Sequence, residues 1–407
     1  MIQASCVVGD KPVAVTNVHK VYASGFLFNV SFLAFAVLVP LTALHDHLPL
    51  WLVGVLAAVP GALQLPTRIL SGPLVDHLGE RLVLWVTYGL AVLAGLVVVS
   101  GSSYPMASLV LGQLCIGSAR GLFWTAAQSE VGREASGRAR ALGLFTSYTK
   151  GGALVGTALA GTLAEFLGLN GGFVFTVILA VLALVIGSTL TKSAVVDRPG
   201  TLGQAVARLI PAGRQPFVMV YGMVAFLCAI PQALAQSFYP VTLVRLGVSD
   251  SVASLITALM SCGMIIAGVF GARALARLGM RRLLAVAMVL VAGSLLLTAD
   301  PEVVVDAVAI FLAGFGAGWL NVGFLTAVSG RSHDYDRATN LAVTQMYFVI
   351  AVIGTPLLSG GLFHVIGQNG SFAVESGLAF VVVAMVMGLW RWQARADDRS
   401  VSEYRPA

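Results

Sequence analysis

The sequence predicts an all-α integral membrane protein with twelve transmembrane helices in two six-helix, pseudo-symmetric halves. Three observations support this fold class. Long apolar segments recur along the whole chain; 58% of the 407 residues are hydrophobic and only 10% are charged; and short motifs of the first half return in the second. Because soluble domains carry about 25% charged residues, a chain of this composition is expected to lie in a membrane.

Twelve apolar segments are long enough to cross a bilayer. A helix needs about 20 apolar residues to span ~30 Å of hydrocarbon. In chain order the segments are 21–44, 50–71, 82–101, 105–128, 141–165, 172–191, 217–244, 251–271, 283–299, 303–328, 341–363 and 372–390.

The basic residues predict the orientation of these spans. Lys and Arg near spans stay on the cytoplasmic side. Of the 24 basic residues, 20 lie in segments on the N-terminal side of the membrane and one, Arg245, lies on the other side. Both termini are therefore predicted to be cytoplasmic, in the cell inner (plasma) membrane. The first 20 residues lack the apolar core of a cleaved signal peptide, and the basic charge reflects this topology rather than a nucleic-acid partner.

The second half of the chain repeats the first, with offsets of about 200 residues. The matched pairs are VPL at 39–41 with YPV at 239–241, VGTAL at 155–159 with IGTPL at 353–357, and NGGF at 170–173 with NGSF at 369–372. Six spans are therefore expected twice, in the same orientation. The domains that we predict are a six-helix bundle at 1–191, a cytoplasmic linker at 192–215, a second bundle at 216–391 and a cytoplasmic tail at 392–407.

A charged segment, GPLVDHLGER at 72–81, lies between the second and third spans and is predicted to form a tight turn. Irregular backbone so close to two spans is tolerated only where water or protein satisfies its polar groups. A related segment, ARALARLGMRR, follows at 272–282, where Gly279 and Arg281 keep their places and Ala276 replaces Asp76.

These features together resemble the major facilitator superfamily. Its loop between spans two and three reads G-x-L-x-D-R-x-G-R-R, which His77 and Glu80 do not follow; the matching residues are Gly72, Leu74, Asp76, Gly79 and Arg81. The resemblance covers nearly the whole chain. It implies a secondary transporter that moves a small-molecule substrate by alternating access, with binding at the midplane between the halves.

The resemblance also implies a conformational latch for the outward-facing state. In the superfamily the aspartate at the position of Asp76 holds this state, and Arg140, just before the fifth span, is its predicted partner. The latch set is Gly72, Asp76, Gly79, Arg81 and Arg140.

Three cations lie inside predicted spans, where a charge costs about 2.5–3.5 kcal/mol and usually faces the bundle interior. They are Arg68, Arg120 and Lys150. No Asp or Glu occupies the middle third of a span, so the buried field is predicted to be positive and to attract a carboxylate or phosphate. The alternative for the two arginines is that they extend to the cytoplasmic water.

Polar and aromatic residues of other spans complete the predicted site. Trp124 follows Arg120 by one helical turn, and the superfamily lines its cavity with spans one, four, seven and ten. Lone Asn and Gln residues also join membrane helices to one another, which remains the alternative. The predicted substrate-binding set is Asn29, Arg68, Arg120, Trp124, Lys150, Gln232, Gln236 and Asn321.

Neither a metal, a cofactor nor an enzymatic activity is expected. His45, Asp46 and His47 are adjacent and could hold zinc, but a solvated turn is preferred because neighbouring loop residues rarely point inward together. The phosphate-binding motif G-x-x-x-x-G-K-[ST] is absent, so ATP-driven transport is not expected.

The substrate is predicted to be a small organic solute, anionic or amphipathic. A multidrug or metabolite efflux proton antiporter is the first alternative: the antiporter motif of span five, G-x-x-x-G-P-x-x-G-G, keeps Gly152 and Gly156 here, but Thr157 replaces its proline. A non-transporting membrane receptor is the second alternative, which the short loops disfavour. We expect a monomer in the lipid bilayer, and a coupling proton or a counter-anion both remain open.

Overall fold

The structure is a computed structural model that describes residues 11–101, 104–132, 138–191, 202–300, 302–332 and 337–403. Within these ranges the chain is helical apart from short turns. The helices are α1 Lys11–His45, α2 Leu50–Leu78, α3 Glu80–Ser100, α4 Pro105–Gly132, α5 Arg138–Ser188, α6 Leu202–Gly213, α7 Pro216–Ala235, α8 Phe238–Arg245, α9 Asp250–Leu297, α10 Val303–Arg331 and α11 Arg337–Glu403.

Three of these helices contain a sharp break at a glycine. The backbone angles φ and ψ are 72° and 164° at Gly168 in α5, 73° and 160° at Gly279 in α9, and 74° and 178° at Gly367 in α11. Only glycine takes this conformation at low cost. Each of these helices therefore holds two spans; with α7 and α8 counted as one span and α6 left in the linker, the described helices give the twelve predicted spans.

The breaks repeat along the chain as the sequence motifs do. Gly79, between α2 and α3, has φ 80° and ψ 156°, close to the angles of Gly279 200 residues later. Gly168 and Gly367 form a second matched pair, 199 residues apart. The same backbone corner thus appears at corresponding points of the two halves, as a duplication predicts.

The tight turn predicted within 72–81 is confined to a single residue. α2 continues through Gly72 and Pro73 to Leu78, and only Gly79 leaves the helical conformation. Its amide still donates to the Val75 carbonyl at 2.9 Å. Because a single glycine with positive φ redirects the chain, the backbone stays hydrogen-bonded almost to the corner, which a longer loop would not achieve.

The seventh predicted span, 217–244, is interrupted. α7 ends at Ala235 and α8 begins at Phe238, with Ser237 at φ −140° and ψ −84° between them. In a continuous helix the ring of Pro240 would clash with the carbonyl of Gln236, four residues earlier. The Ser237 hydroxyl donates to the Ala233 carbonyl at 2.7 Å and satisfies a carbonyl at the end of α7.

The chain packs as two units. The first comprises Met1–Val39 and Val59–Ala205, and the second comprises Pro40–Ala58 and Val206–Ala407. The division falls between Ala205 and Val206, and residues 40–58 pack with the second unit. Two contacts within this unit explain it: Gly54 packs against the backbone of Gly360 without a side chain between them, and His45 Nε2 lies 2.9 Å from Asp250 Oδ2.

Candidate functional site

Close packing of α2 against α4 in the first unit brings two cations of the spans together. Gly117 and Gly121 on α4 face α2: a side chain on Gly117 would overlap the backbone of Pro60, and one on Gly121 would overlap the Thr67 hydroxyl. Small residues allow membrane helices to approach backbone to backbone. Arg68 and Arg120 adjoin these contact residues, and their charges are near enough to repel each other. We call them the cation pair.

Arg120 lies on an aromatic surface. Its side chain is only 9% exposed, and its guanidinium carbon lies 4.6 Å from the centroid of the Phe32 ring on α1. A cation above a ring face is stabilised by about 0.5–2 kcal/mol, more when it is desolvated. Phe32 in turn contacts Phe28, which packs against Phe123 with ring centroids 4.5 Å apart. The position of Arg120 is therefore fixed by packing between α1 and α4.

Arg68 is the less satisfied member of the cation pair. It is partly buried, and within the described part of the chain its guanidinium makes neither a hydrogen bond nor an ion pair. A guanidinium carries five N–H donors in a planar fork that matches the oxygens of a carboxylate or phosphate. The first unit thus presents a membrane cation with open donors beside a second cation.

The remaining predicted residues of the first unit have packing partners. Asn29 is buried and donates to the Gly25 carbonyl of its own helix at 2.8 Å, where α5 approaches through Gly152. Trp124 contacts Phe145 edge to face, with centroids 5.9 Å apart. Lys150 is partly buried on α5 and interacts with a neighbouring group. The described contacts therefore place the two arginines together, while the roles of Asn29, Trp124 and Lys150 in binding stay predictions.

The predicted residues of the second unit lie on α7 and α10. Gln232 Nε2 lies 3.3 Å from the Cys228 carbonyl oxygen, and Gln236 donates to the Gln232 carbonyl at 2.9 Å. Gln236 is the C-cap residue directly after α7, so its side chain lies at the break of this span. Asn321 is partly buried on α10.

The structure describes only part of the predicted latch. The side chains of Asp76 and Arg140 lie outside the described residues. Arg81 donates from Nη2 to the carbonyl of Ser188 at 3.0 Å; since Ser188 ends α5, this cation satisfies a free carbonyl at a helix C-terminus. No atom lies within 4 Å of a side chain built on Gly72. Gly79 supplies the corner described above.

Sequence reasoning missed two buried acids at the same end of the first unit. Glu80 accepts a hydrogen bond from the Ser129 hydroxyl at 2.8 Å, and Glu130 accepts one from Asn17 Nδ2 at 2.9 Å. The Asn17 amide oxygen also accepts from the backbone amide of Thr191 at 3.2 Å. These bonds join the ends of α1, α3 and α4 and the segment that follows α5. The departure of Glu80 from the superfamily pattern was the available signal.

Two acids of the second unit are buried, which the sequence analysis did not expect. Asp306 on α10 is 1% exposed and Glu375 on α11 is 4% exposed, although the sequence places both near span ends. Glu375 Oε1 accepts from the hydroxyls of Ser359 and Ser371 at 2.6 and 3.3 Å. Its other oxygen, both carboxyl oxygens of Asp306 and the nearby Tyr239 hydroxyl have no hydrogen-bond partner among the described residues. Distance from a span end along the sequence does not report burial, which depends on the neighbouring helices.

The chain matches the family model described as Major Facilitator Superfamily over residues 21–230 and again over 217–406. Among curated proteins it is similar to sugar efflux transporter A of Dickeya chrysanthemi, 32% identical over 133 residues, which is 32% of this chain and 33% of the relative. The match thus spans about a third of that relative's length.

Solved transporters share the fold at low sequence identity. An aspartate-to-alanine variant of the nucleoside transporter NupG superposes with a TM-score of 0.78 at 13% identity, over 91% of this chain and 99% of that one. A human organic anion transporter superposes with a TM-score of 0.68 at 17% identity, over 92% and 100% of the two chains. Since the family model covers both halves of the sequence, the chain belongs to the major facilitator superfamily of membrane transporters.

Proposed function

We propose that this chain is a secondary transporter that carries a small organic anion across the cell inner membrane by alternating access, with both termini in the cytoplasm. The observation that carries the proposal is the cation pair, in which the Arg68 guanidinium has no partner among the described residues and lies beside Arg120. Two neighbouring cations in a membrane repel each other and are costly to desolvate. A bound carboxylate or phosphate offsets both costs and accepts the open guanidinium donors.

The relatives support a small organic solute as the cargo. One relative is named for sugar efflux and one fold neighbour for organic anion transport. An organic anion with hydroxyl groups, such as a sugar acid or a sugar phosphate, combines the chemistry of both cargoes. Its hydroxyls can bind the polar side chains near the cation pair. Sugar acids, sugar phosphates and simple carboxylates therefore form the first substrate panel, with neutral sugars and lipophilic cations as the contrast.

The test is solute counterflow in liposomes that contain the purified protein. Arg68→Gln should weaken transport of the preferred anion about 10- to 100-fold, because a hydrogen bond to a charged group contributes about 1.5–3 kcal/mol. Arg68→Lys keeps the charge but loses the fork, so an intermediate rate is expected. Arg245→Gln, which removes a cation outside the spans, is the matched control.

The outcomes separate the candidate functions. Equal anion counterflow in the wild type and in Arg68→Gln would remove the cation pair from the site. Export of lipophilic cations in place of anions would favour a multidrug exporter. Ligand binding without counterflow of any solute would favour a receptor.

The buried acids of the second unit support a second candidate, coupling of this transport to protons. An ionised carboxylate with an oxygen that lacks a donor is costly in hydrocarbon, and a proton removes most of that cost. Asp306 and Glu375 therefore suit groups that take up a proton when buried and release it when a conformational change exposes them. Two further groups interact electrostatically with these acids: Tyr239 with both, and Asp300 with Asp306.

Glu375→Gln tests this coupling, since glutamine can still accept from Ser359 but does not titrate. Active transport driven by a pH gradient should be lost while counterflow, which needs no net proton movement, is retained. Glu302→Gln, at an exposed acid next to α10, should leave both activities unchanged. Gradient-driven transport that survives in Glu375→Gln and in Asp306→Asn would exclude these acids as the coupling site.

A further inference from the structure

The second unit contains a basic cavity that the transport proposal does not use. Its volume is about 540 Å³, within the range of small-molecule sites. It lies where α9 breaks and α10 ends, on the side predicted to be cytoplasmic. The residues that matter for its chemistry are Tyr221, Gly279, Arg281, Arg282, Thr326 and Arg331.

Three arginines line this cavity, and within the described part of the chain none of them forms an ion pair. The guanidinium of Arg331 lies 5.5 Å from the centroid of the Tyr221 ring, which fixes its direction. Arg281 and Arg282 are exposed and make no described side-chain hydrogen bond. The equivalent segment of the first half carries Asp76, but here Ala276 takes its place. The positive charge of the cavity is therefore not balanced by an acid of its own segment.

The backbone adds donors at the same place. Gly279 interrupts α9, so a new helical segment begins at Met280 and its first turn lines the cavity. The first amides of a helix have no partner inside it, and they carry the positive end of the helix dipole. Helix starts bind phosphate for this reason. Thr326 contributes a hydroxyl from α10, so donors from two helices converge on one space.

We propose that this cavity binds a phosphate group, and that its occupant is the headgroup of an anionic phospholipid of the cytoplasmic leaflet. Three cations and a helix start provide more donors than a carboxylate can use, whereas a phosphate accepts through several oxygens. Leu278, which also lines the cavity, is 39% exposed, and Phe270 on the same helix is 48% exposed. Exposed apolar side chains therefore lie at the cavity and about two turns before it on α9, where acyl chains can contact them. Basic pockets between spans on the cytoplasmic side bind anionic headgroups in this way.

The experiment compares lipid discs of pure phosphatidylcholine with discs that also contain phosphatidylglycerol or cardiolipin. The readouts are the thermal stability of the purified protein and the lipids retained in native mass spectrometry. The wild type should be more stable in anionic discs and should retain anionic lipid. Arg281→Gln with Arg282→Gln should reduce this retention at least tenfold. Arg281→Lys with Arg282→Lys keeps the charge and should retain an intermediate amount of anionic lipid. This variant also checks that the segment still folds when both arginines are replaced.

The matched control is Arg273→Gln with Arg277→Gln, which removes two exposed cations of the same segment that do not line the cavity. Its lipid preference should equal that of the wild type. Equal losses in the two double variants would overturn the proposal, because the preference would then be a general effect of basic charge at the surface.

Two further arms identify the occupant. Inorganic phosphate is titrated in phosphatidylcholine discs: stabilisation by phosphate with no preference for anionic lipid would assign the site to a soluble ligand and refute the lipid. Asp334 and Asp336 follow Arg331 in the sequence but lie outside the described residues. If an anionic-lipid preference emerged only in Asp334→Asn with Asp336→Asn, these acids rather than a lipid would fill the cavity and the proposal would fail. None of these measurements depends on transport, so they stand apart from the test of the cation pair.

Discussion

Gly117→Ala is expected to disturb the cation pair by separating the two helices that carry it. The added methyl carbon would lie 2.6 Å from Pro60 Cα and 2.8 Å from the Pro60 carbonyl carbon. Carbon atoms in contact prefer about 3.5–4.0 Å, so α2 and α4 must move apart by about 1 Å. The obstacle is helix backbone, which cannot rotate out of the way as a side chain can. Overpacking of this kind costs about 1–3 kcal/mol.

Gly89→Ala is the matched control, because no atom lies within 4 Å of a side chain built at this position of α3. Both substitutions replace a helical glycine, so both gain about 0.5–1 kcal/mol of helix propensity. The difference between the two variants therefore isolates the contact with Pro60, at about 1–3 kcal/mol. Thermal unfolding in detergent measures this difference, and Gly117→Ala should unfold at the lower temperature.

The same variant tests whether the spacing of the pair matters for binding. A displacement of about 1 Å at a charge-binding site can weaken its action up to about 100-fold. Anion binding, measured by titration of the purified protein, should fall in Gly117→Ala and stay unchanged in Gly89→Ala. Equal unfolding temperatures for the two variants would refute the packing argument. A destabilised Gly117→Ala protein with wild-type anion affinity would show that the contact holds the helices but does not position the site.

Two further predictions concern stability. Gly279→Ala should cost about 1–3 kcal/mol, because alanine rarely adopts a φ of 73°, whereas Gly268→Ala in an open part of the same helix should be neutral or slightly stabilising; equal melting temperatures would mean that the corner can relax. Asn17→Ala removes hydrogen bonds to Glu130 and Thr191 and should cost about 1–3 kcal/mol in denaturant unfolding, while Ser147→Ala, an exposed hydroxyl bonded only within its own helix, should change stability by less than about 0.5 kcal/mol. A smaller loss for Asn17→Ala than for Ser147→Ala would contradict the role of this network.

Most of the fold followed from hydropathy and from the internal repeat, because membrane spans need long apolar segments and the bilayer fixes their length. The errors were local. Gly72 and Pro73 suggested a turn. The helix continues through both residues up to Gly79, since a helix satisfies the backbone hydrogen bonds that water cannot reach inside the membrane. The break after α7 was missed, although Pro240 and the carbonyl four residues before it contained the signal.

The candidate site was less predictable than the fold. Arg68 and Arg120 stand out in the sequence because cations inside spans are rare. Their proximity could not be predicted, since it depends on the approach of α2 and α4 at Gly117 and Gly121. Asn29 was predicted to line the cavity; it hydrogen-bonds to Gly25 within α1, and its role in binding stays a prediction. Asp306 and Glu375 were passed over because position along a span was taken as a measure of water access, whereas packing around them decides it.

The matched corners at Gly79 and Gly279 show that two features of one motif, its backbone shape and its acidic charge, are independent of each other. The first copy keeps both the glycine and the aspartate, while the second keeps the glycine beside Ala276. The shape of the corner is therefore common to both copies, whereas the acidic charge is present in only one. The corner on which the bundle depends therefore does not require the acid, so the charge beside it can differ between the two halves.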